Sequence, residues 1–236
     1  MELAAELAGC VPADHSRQVG RYSLTDRLFF AGNKVRNVLD LGCGEGDSVD
    51  YFRRKTRDVL WVGVDIQNSP EVTSRTRRDA VFQTFDGVSL PFKGMVFDLV
   101  YSRQVLEHVR YPRELLREVR RVLRPGGYFV GSTSHVELYH SCSYWNFTPF
   151  GFRVLVEEAG LQLVEIRPGV DALTLTLRRV LDRPRCFNRW LEAESPLNRM
   201  IGVYARWRRK GDRWANTVKL LYSGQFGFLV QRHDRP

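Results

Sequence analysis

A short apolar run, Val35–Leu41, breaks into Gly42-Cys43-Gly44-Glu45-Gly46 and then into a helical stretch from about residue 47 to 54. Few architectures feed a strand into a helix through three alternating glycines. Glycine there allows positive φ and close approach of the backbone to a ligand. Further apolar runs follow at Val59–Val64, Phe82–Phe85, Phe97–Tyr101, Tyr128–Ser132, Leu161–Ile166 and Gly224–Gln231. Between them lie helical patterns. Tyr111–Leu123 places Leu115, Leu116, Val119 and Val122 on one face and stops at Pro125-Gly126-Gly127. Thr148–Ala159 begins with a Thr cap and a Pro at the first helical position, and ends at Gly160. Strands alternating with helices need crossover connections, so the expected sheet is mostly parallel and covered on both faces. Ligands of such sheets sit at the carboxyl ends of the strands.

The loop after the first strand is not that of a dinucleotide site. Its third glycine comes one residue earlier than in G-x-G-x-x-G, and Asp40 and Glu45 would repel a pyrophosphate. An ammonium or sulfonium group would be attracted. Asp65 ends the second strand, 19 residues beyond Gly46, where an acidic side chain suits the two hydroxyls of a ribose. Asp86-Gly87 follows the third strand and suits the exocyclic amine of a base.

Six blocks in order carry a family resemblance: Val38–Gly46, Gly63-Val64-Asp65, Asp86 ahead of Leu90-Pro91-Phe92, Phe97–Val100, Leu106-Glu107-His108-Val109, and Arg121–Gly127. Together they resemble a class I S-adenosylmethionine-dependent methyltransferase. The resemblance implies an α/β fold: a Rossmann-like, doubly wound, seven-stranded, mostly parallel sheet with helices on both faces and a helical insert before the last strand. It implies S-adenosyl-L-methionine as cofactor and S-adenosyl-L-homocysteine as product. By the same resemblance Asp40, Gly42 and Gly44 line the methionine part, with Tyr22 beside it. Asp65 holds the ribose, with Ile66 against the adenine. Phe85, Asp86 and Gly87 meet the base, and Ser102, Arg103 and Gln104 flank the methionyl end.

Methyl transfer to a hydroxyl needs a base. Three histidines follow the fourth and fifth strands: His108, His135 and His140. The stretch from Tyr139 to Pro149 sets Tyr139, Tyr144 and Trp145 ahead of a helix start, aromatic faces suited to a sugar or a flat acceptor. Its Trp-x-Phe-Thr-Pro element looks like methyltransferases that act on saccharides or glycosylated natural products. The expected reaction is O-methylation of a sugar hydroxyl. N-methylation of an amino sugar or small metabolite, and an RNA-associated role, are the alternatives. His135, His140 and Cys142 lack the spacing of a ligand set, so no metal is expected.

The 236 residues allow one sizeable core with an appendage, and the net charge of +9 is local. From Arg178 to Lys219 twelve Arg/Lys face four Asp/Glu. The expected organisation is a helical cap over 1–34, a cofactor-binding core over 35–177, a basic helical insert over 178–223 and a final strand and tail over 224–236. Within the insert, Ser195-Pro196 opens a helix that Gly211 closes; Leu197, Met200, Ile201, Tyr204 and Trp207 form its apolar face. The insert reads as a lid meeting an acidic or sugar-containing acceptor, as an element lying on an anionic membrane, or as the arm of a homodimer. No separate nucleic-acid module accompanies it, so nucleic acid is not the expected partner. No apolar run reaches the ~18 residues of a spanning helix. Four widely spaced cysteines read as a reduced, cytoplasmic chain.

Overall fold

Each apolar run becomes a strand in the computed structural model, which describes residues 5–137 and 141–233. The strands are β1 (Asn37–Leu41), β2 (Leu60–Ile66), β3 (Val81–Phe85), β4 (Phe97–Arg103), β5 (Leu123–Ser134), β6 (Gln162–Pro168) and β7 (Gln225–Gln231). They form one sheet in the order β3-β2-β1-β4-β5-β7-β6. The pairs β1–β2, β2–β3, β1–β4 and β4–β5 are parallel, and β7 runs antiparallel to both β5 and β6. The chain moves outward from β1 through β2 to β3 and then returns to place β4 on the other side of β1. That reversal opens a crevice at the carboxyl ends of β1 and β4, where a doubly wound sheet receives its ligand.

The helices are α1 (Ser23–Phe30), α2 (Ser48–Lys55), α3 (Pro70–Ser74), α4 (Pro112–Val122), α5 (Pro149–Glu158), α6 (Ala172–Val180), α7 (Pro196–Trp207) and α8 (Asp212–Leu221). The 3.6-residue pattern of α4 puts Leu115, Leu116, Val119 and Val122 fully inside. Their burial stabilises the fold by about 1.5–3 kcal/mol each as an upper bound. Thr148 caps α5 by accepting the Gly151 N–H at 3.0 Å, with Pro149 in the first turn.

The core has one layer on each face of the sheet. Leu39, Val100, Phe129 and Phe228 pack with α4, α5 and Leu220 of α8. Val38, Leu99, Val130 and Leu229 pack with Leu24 and Leu28 of α1 and Val49 and Phe52 of α2. The alternation of side chains along each strand produces this division.

Two features of the chain between β6 and β7 differ from expectation. Helix α6 falls where no element is predicted from the sequence, in a stretch that alternates Leu and Thr from Leu173 to Leu177. Asp171 nevertheless starts the helix by accepting the Thr174 N–H at 2.7 Å. In α7 the buried residues are Asn198, Gly202 and Ala205, while Met200, Tyr204 and Trp207 of the expected apolar face are exposed. Asn198 turns inward because it finds partners there. Asn198 Nδ2 donates to Gln18 Oε1 at 2.8 Å and to the Gly169 carbonyl at 2.9 Å. Among the described residues no helix is long and apolar enough to cross a membrane.

Candidate active site

The glycine turn between β1 and α2 forms the floor of the crevice. Gly42, Gly44 and Gly46 have φ of 71°, 51° and 87°. A Cβ on Gly42 would lie 2.2 Å from Val105 Cγ2, so a side chain there is excluded twice, by backbone angle and by space. Below the turn Asp40 is 4% exposed and accepts the Ser48 hydroxyl, which in turn receives the Trp61 indole N–H at 2.9 Å. Burial, reinforced by the nearby Asp65 carboxylate, pushes the Asp40 carboxyl up to about 7.

Asp65 is also raised by burial, although Oδ2 accepts the Gly44 N–H and Oδ1 the Ile66 N–H, both at 2.8 Å. Glu45, expected to act with Asp40, turns outward and takes the Ser74 hydroxyl at 3.1 Å. The acidic partner of Asp40 is therefore Asp65, which the sequence reading had given only to the ribose. Two carboxyls held above their usual range beside a glycine cradle would be stabilised in their ionised form by a positively charged group.

The residues expected around the base lie along the ends of β2 and β3. Phe85 is in register with Ile66, whose side chain is 45% exposed. A Cβ on Gly87 would sit 3.8 Å from Ile66 Cγ2, so Gly87 lies beside the exposed Ile66 side chain at this edge. Asp86 Oδ1 accepts the N–H groups of Ser89 and Val88 at 2.6 and 2.8 Å, and these bonds hold its carboxyl below the usual range.

At the other end, Ser102 is 1% exposed, and its hydroxyl has no partner among the described residues; the same holds for Arg21 Nε. Tyr22 stacks on Tyr51 with ring centroids 3.7 Å apart, and the Arg21 guanidinium lies 5.6 Å from the Tyr22 ring. Gln104 takes φ of 56° and is tied to β5, its N–H to the Ser132 carbonyl at 2.9 Å and its Nε2 to Ser132 Oγ at 3.1 Å. Beyond it Arg103, Arg21, Ser132 and Gln225 line a narrow cleft of about 40 Å³. Glycine is required at 131 for β4 and β5 to pair, since a Cβ there would lie 1.8 Å from the Ser102 carbonyl and 2.9 Å from Phe228 Cζ. Orphaned donors, a glycine cradle and paired carboxyls fit a ligand with a cationic group, a carboxylate and a ribose.

The histidines are less central. The His135 ring is held by the backbone of Phe147 and Leu221 and packs 6.3 Å from Phe226, and burial lowers its pKa. Phe226 belongs to the α4–α5 layer and also lines the cleft. Neither His108 nor His135 lines the cleft. His140 and Tyr139 lie outside the described residues.

Beside His108 lies Glu107, to which the sequence assigns no role. It is fully buried and accepts the hydroxyls of Thr133 and Ser134 at 2.8 and 3.0 Å. Its carbonyl receives the N–H groups of Tyr144 and Trp145, so it anchors the aromatic loop. A carboxylate inside an apolar block, with hydroxyls at the next strand end, was the available signal. Tyr144 and Trp145 are 61% and 45% exposed, and the Trp145 indole donates to the Val109 carbonyl at 2.9 Å.

Residues 14–166 match the family described as "Methyltransferase domain". The chain is 30% identical over 209 residues to a fatty-acid O-methyltransferase of Mycolicibacterium smegmatis, covering 80% of this chain and 71% of that one. It is 32% identical over 97 residues to a phthiotriol/phenolphthiotriol dimycocerosates methyltransferase of Mycobacterium tuberculosis, covering 40% of this chain and 36% of that one. The match to this second relative thus spans about a third of its length. A crystal structure from Galdieria sulphuraria, assigned as a sarcosine dimethylglycine methyltransferase, has a TM-score of 0.62 at 19% identity, covering 90% of this chain and 85% of that one. At that identity the likeness shows the fold.

Proposed function

Because this chain belongs to the class I S-adenosylmethionine-dependent methyltransferases, we propose that it esterifies the carboxylate of a small, apolar acid. Methyl transfer to small molecules with S-adenosylmethionine as cofactor is the established part; the acceptor oxygen is the proposal. Bound in the glycine cradle, S-adenosylmethionine supplies an electrophilic methyl group on a sulfonium. What the protein adds is placement, and alignment of an in-line displacement alone accounts for much of the barrier. A carboxylate is already ionised at neutral pH, so its oxygen attacks without a base. Arg103, which has no ion pair among the described residues, lines the cleft and orients the carboxylate. The ester that forms is neutral and loses this attraction. The observation that carries the reading is a cleft with a free guanidinium and neither described histidine. The fatty-acid O-methyltransferase likeness supports it.

The reading predicts methyl ester formation from a medium-chain fatty acid. With cofactor saturating at each pH, the rate stays flat from pH 8 to 6, and Arg103→Gln lowers kcat/KM about ten- to a hundredfold, the worth of one charge-assisted hydrogen bond. Product analysis by mass spectrometry decides it. A methylated glycoside without any ester, at a rate falling tenfold per unit below the imidazole pKa, would transfer the assignment to a sugar hydroxyl. The exposed Tyr144 and Trp145 favour that second reading, with His140 as base.

An apolar acceptor is delivered from a lipid surface, and α7 suits such a surface. Met200, Val203 and Trp207 are 68%, 52% and 73% exposed, next to Arg208, Arg209 and Lys210. Sedimentation is expected with phosphatidylglycerol vesicles and not with phosphatidylcholine vesicles, and Trp207→Ser reduces the bound fraction severalfold. Equal behaviour of the two lipids removes the membrane contact.

A further inference from the structure

A second cavity, of about 650 Å³, opens on the α1 side of the β6 edge, between residues 15–19, β6, α7 and α8. Val19 lines both this cavity and the cleft already described. Gln18 Oε1 accepts the Ser195 N–H at 2.9 Å, its Nε2 donates to the Trp190 carbonyl at 2.8 Å, and the Arg21 N–H donates to Glu192 at 2.9 Å. The cavity is unusually rich in cations. Six of its lining side chains are Arg or Lys, against Glu192 and Glu194.

The ion pairs determine what charge is left over. Arg167, fully buried, and Arg27 share Asp14 and Glu165. Lys219, 2% exposed, pairs with Glu194 and donates to the Ser16 carbonyl. Arg17, Arg199 and Arg206 have no ion pair among the described residues, and only Glu192 remains to set against them. Two positive charges therefore stay unbalanced in a concave site, with Arg167 and Lys219 buried behind them.

Gly202 adds an independent geometric observation. It lies inside α7, where glycine costs roughly 1 kcal/mol against alanine. The point where its Cβ would stand is 3.6 Å from Lys219 Nζ and 3.8 Å from Arg206 Nη1. Two cationic donors from different helices thus converge over a bare stretch of backbone.

We propose that this cavity binds a dianionic phosphoryl group. Two unbalanced charges match a phosphate monoester or a diphosphate diester, whereas a lone carboxylate leaves one charge uncompensated. Planar guanidinium forks on Arg17, Arg199 and Arg206 match phosphoryl oxygens in pairs. The proposal does not rest on the carboxylate reading.

Calorimetry with inorganic pyrophosphate, at ionic strength fixed with sodium chloride, tests it without any turnover. Wild type is expected to bind with a Kd below millimolar, and Arg199→Gln/Arg206→Gln to bind at least tenfold more weakly. S-adenosylhomocysteine affinity should be unchanged in that variant, showing that the fold is intact. Arg208→Gln/Arg209→Gln removes the same charge outside the cavity and should keep pyrophosphate binding. Equal weakening by both double variants, or no binding by wild type at millimolar concentrations, overturns the proposal. In a methyl-transfer assay, pyrophosphate competing with the acceptor assigns the phosphoryl group to the acceptor. Unaffected turnover with retained binding assigns it to a separate molecule, and either result keeps the site.

Discussion

Replacing Asp65 with alanine is expected to weaken S-adenosylhomocysteine binding by about 30- to 1000-fold, the equivalent of roughly 2–4 kcal/mol. The carboxylate already accepts the Gly44 and Ile66 N–H groups, and each oxygen keeps a second lone pair for a ribose hydroxyl. Its loss removes the acceptors for both hydroxyls and releases one strut of the glycine turn. The product is the right probe because it lacks the sulfonium, so the change reports on the ribose and not on the net charge of the pocket. Asp65→Asn keeps one oxygen and should fall between wild type and alanine. Calorimetry on protein whose circular dichroism is unchanged gives the answer. An alanine variant that binds the product as tightly as wild type removes the ribose assignment, and with it the orientation of the cofactor across β1 and β2.

How much of this site could be read from the chain depends on how local each signal is. The glycine turn and the buried stripe of α4 are written in neighbouring residues, and the structure keeps both. The pairing of Asp40 with Asp65 is not local. It arises because β1 and β2 are parallel with Asp40 opposite Gly63, which brings a carboxyl two residues further on to the same end of the sheet. The Ser48–Trp61 brace under Asp40 is equally invisible, since it links a helix start to a neighbouring strand. Helix α6 was hidden by its alternation of Leu and Thr, where a cap from Asp171 and tertiary contacts outweigh local propensity. In α7 the apolar stripe was visible, but its direction was set by Gln18 and Gly169, residues distant in sequence that satisfy Asn198. The role of Glu107 is not legible in the sequence, because its partners Thr133 and Ser134 lie on the next strand.

Binding of S-adenosylmethionine is expected to release close to one proton at pH 6 and almost none at pH 8, because burial pushes the Asp40 carboxyl up to about 7. The cationic ligand favours the ionised carboxylate, so binding and ionisation are linked. Below the unliganded pKa, each unit of pH then costs about a factor of ten in affinity, equivalent to about 1.4 kcal/mol, until the lowered pKa of the complex is reached. The same shift has a consequence for folding with the opposite trend. Between the unfolded carboxyl pKa of 3.8 and about 7, the native state holds the Asp40 proton and the unfolded chain does not. That contribution to stability is present at acid pH and is lost as the pH rises through this window. The apoprotein thus carries an electrostatic penalty at neutral pH that a bound cation relieves, and this coupling makes the site selective for a positively charged ligand. Calorimetry at pH 6 in two buffers of different ionisation enthalpy counts the protons directly. Asp40→Asn should bind more weakly at pH 8 and release none. Wild type that exchanges no proton at pH 6 would show that Asp40 is ionised before the ligand arrives, and the explanation of cation selectivity through this residue would then fail.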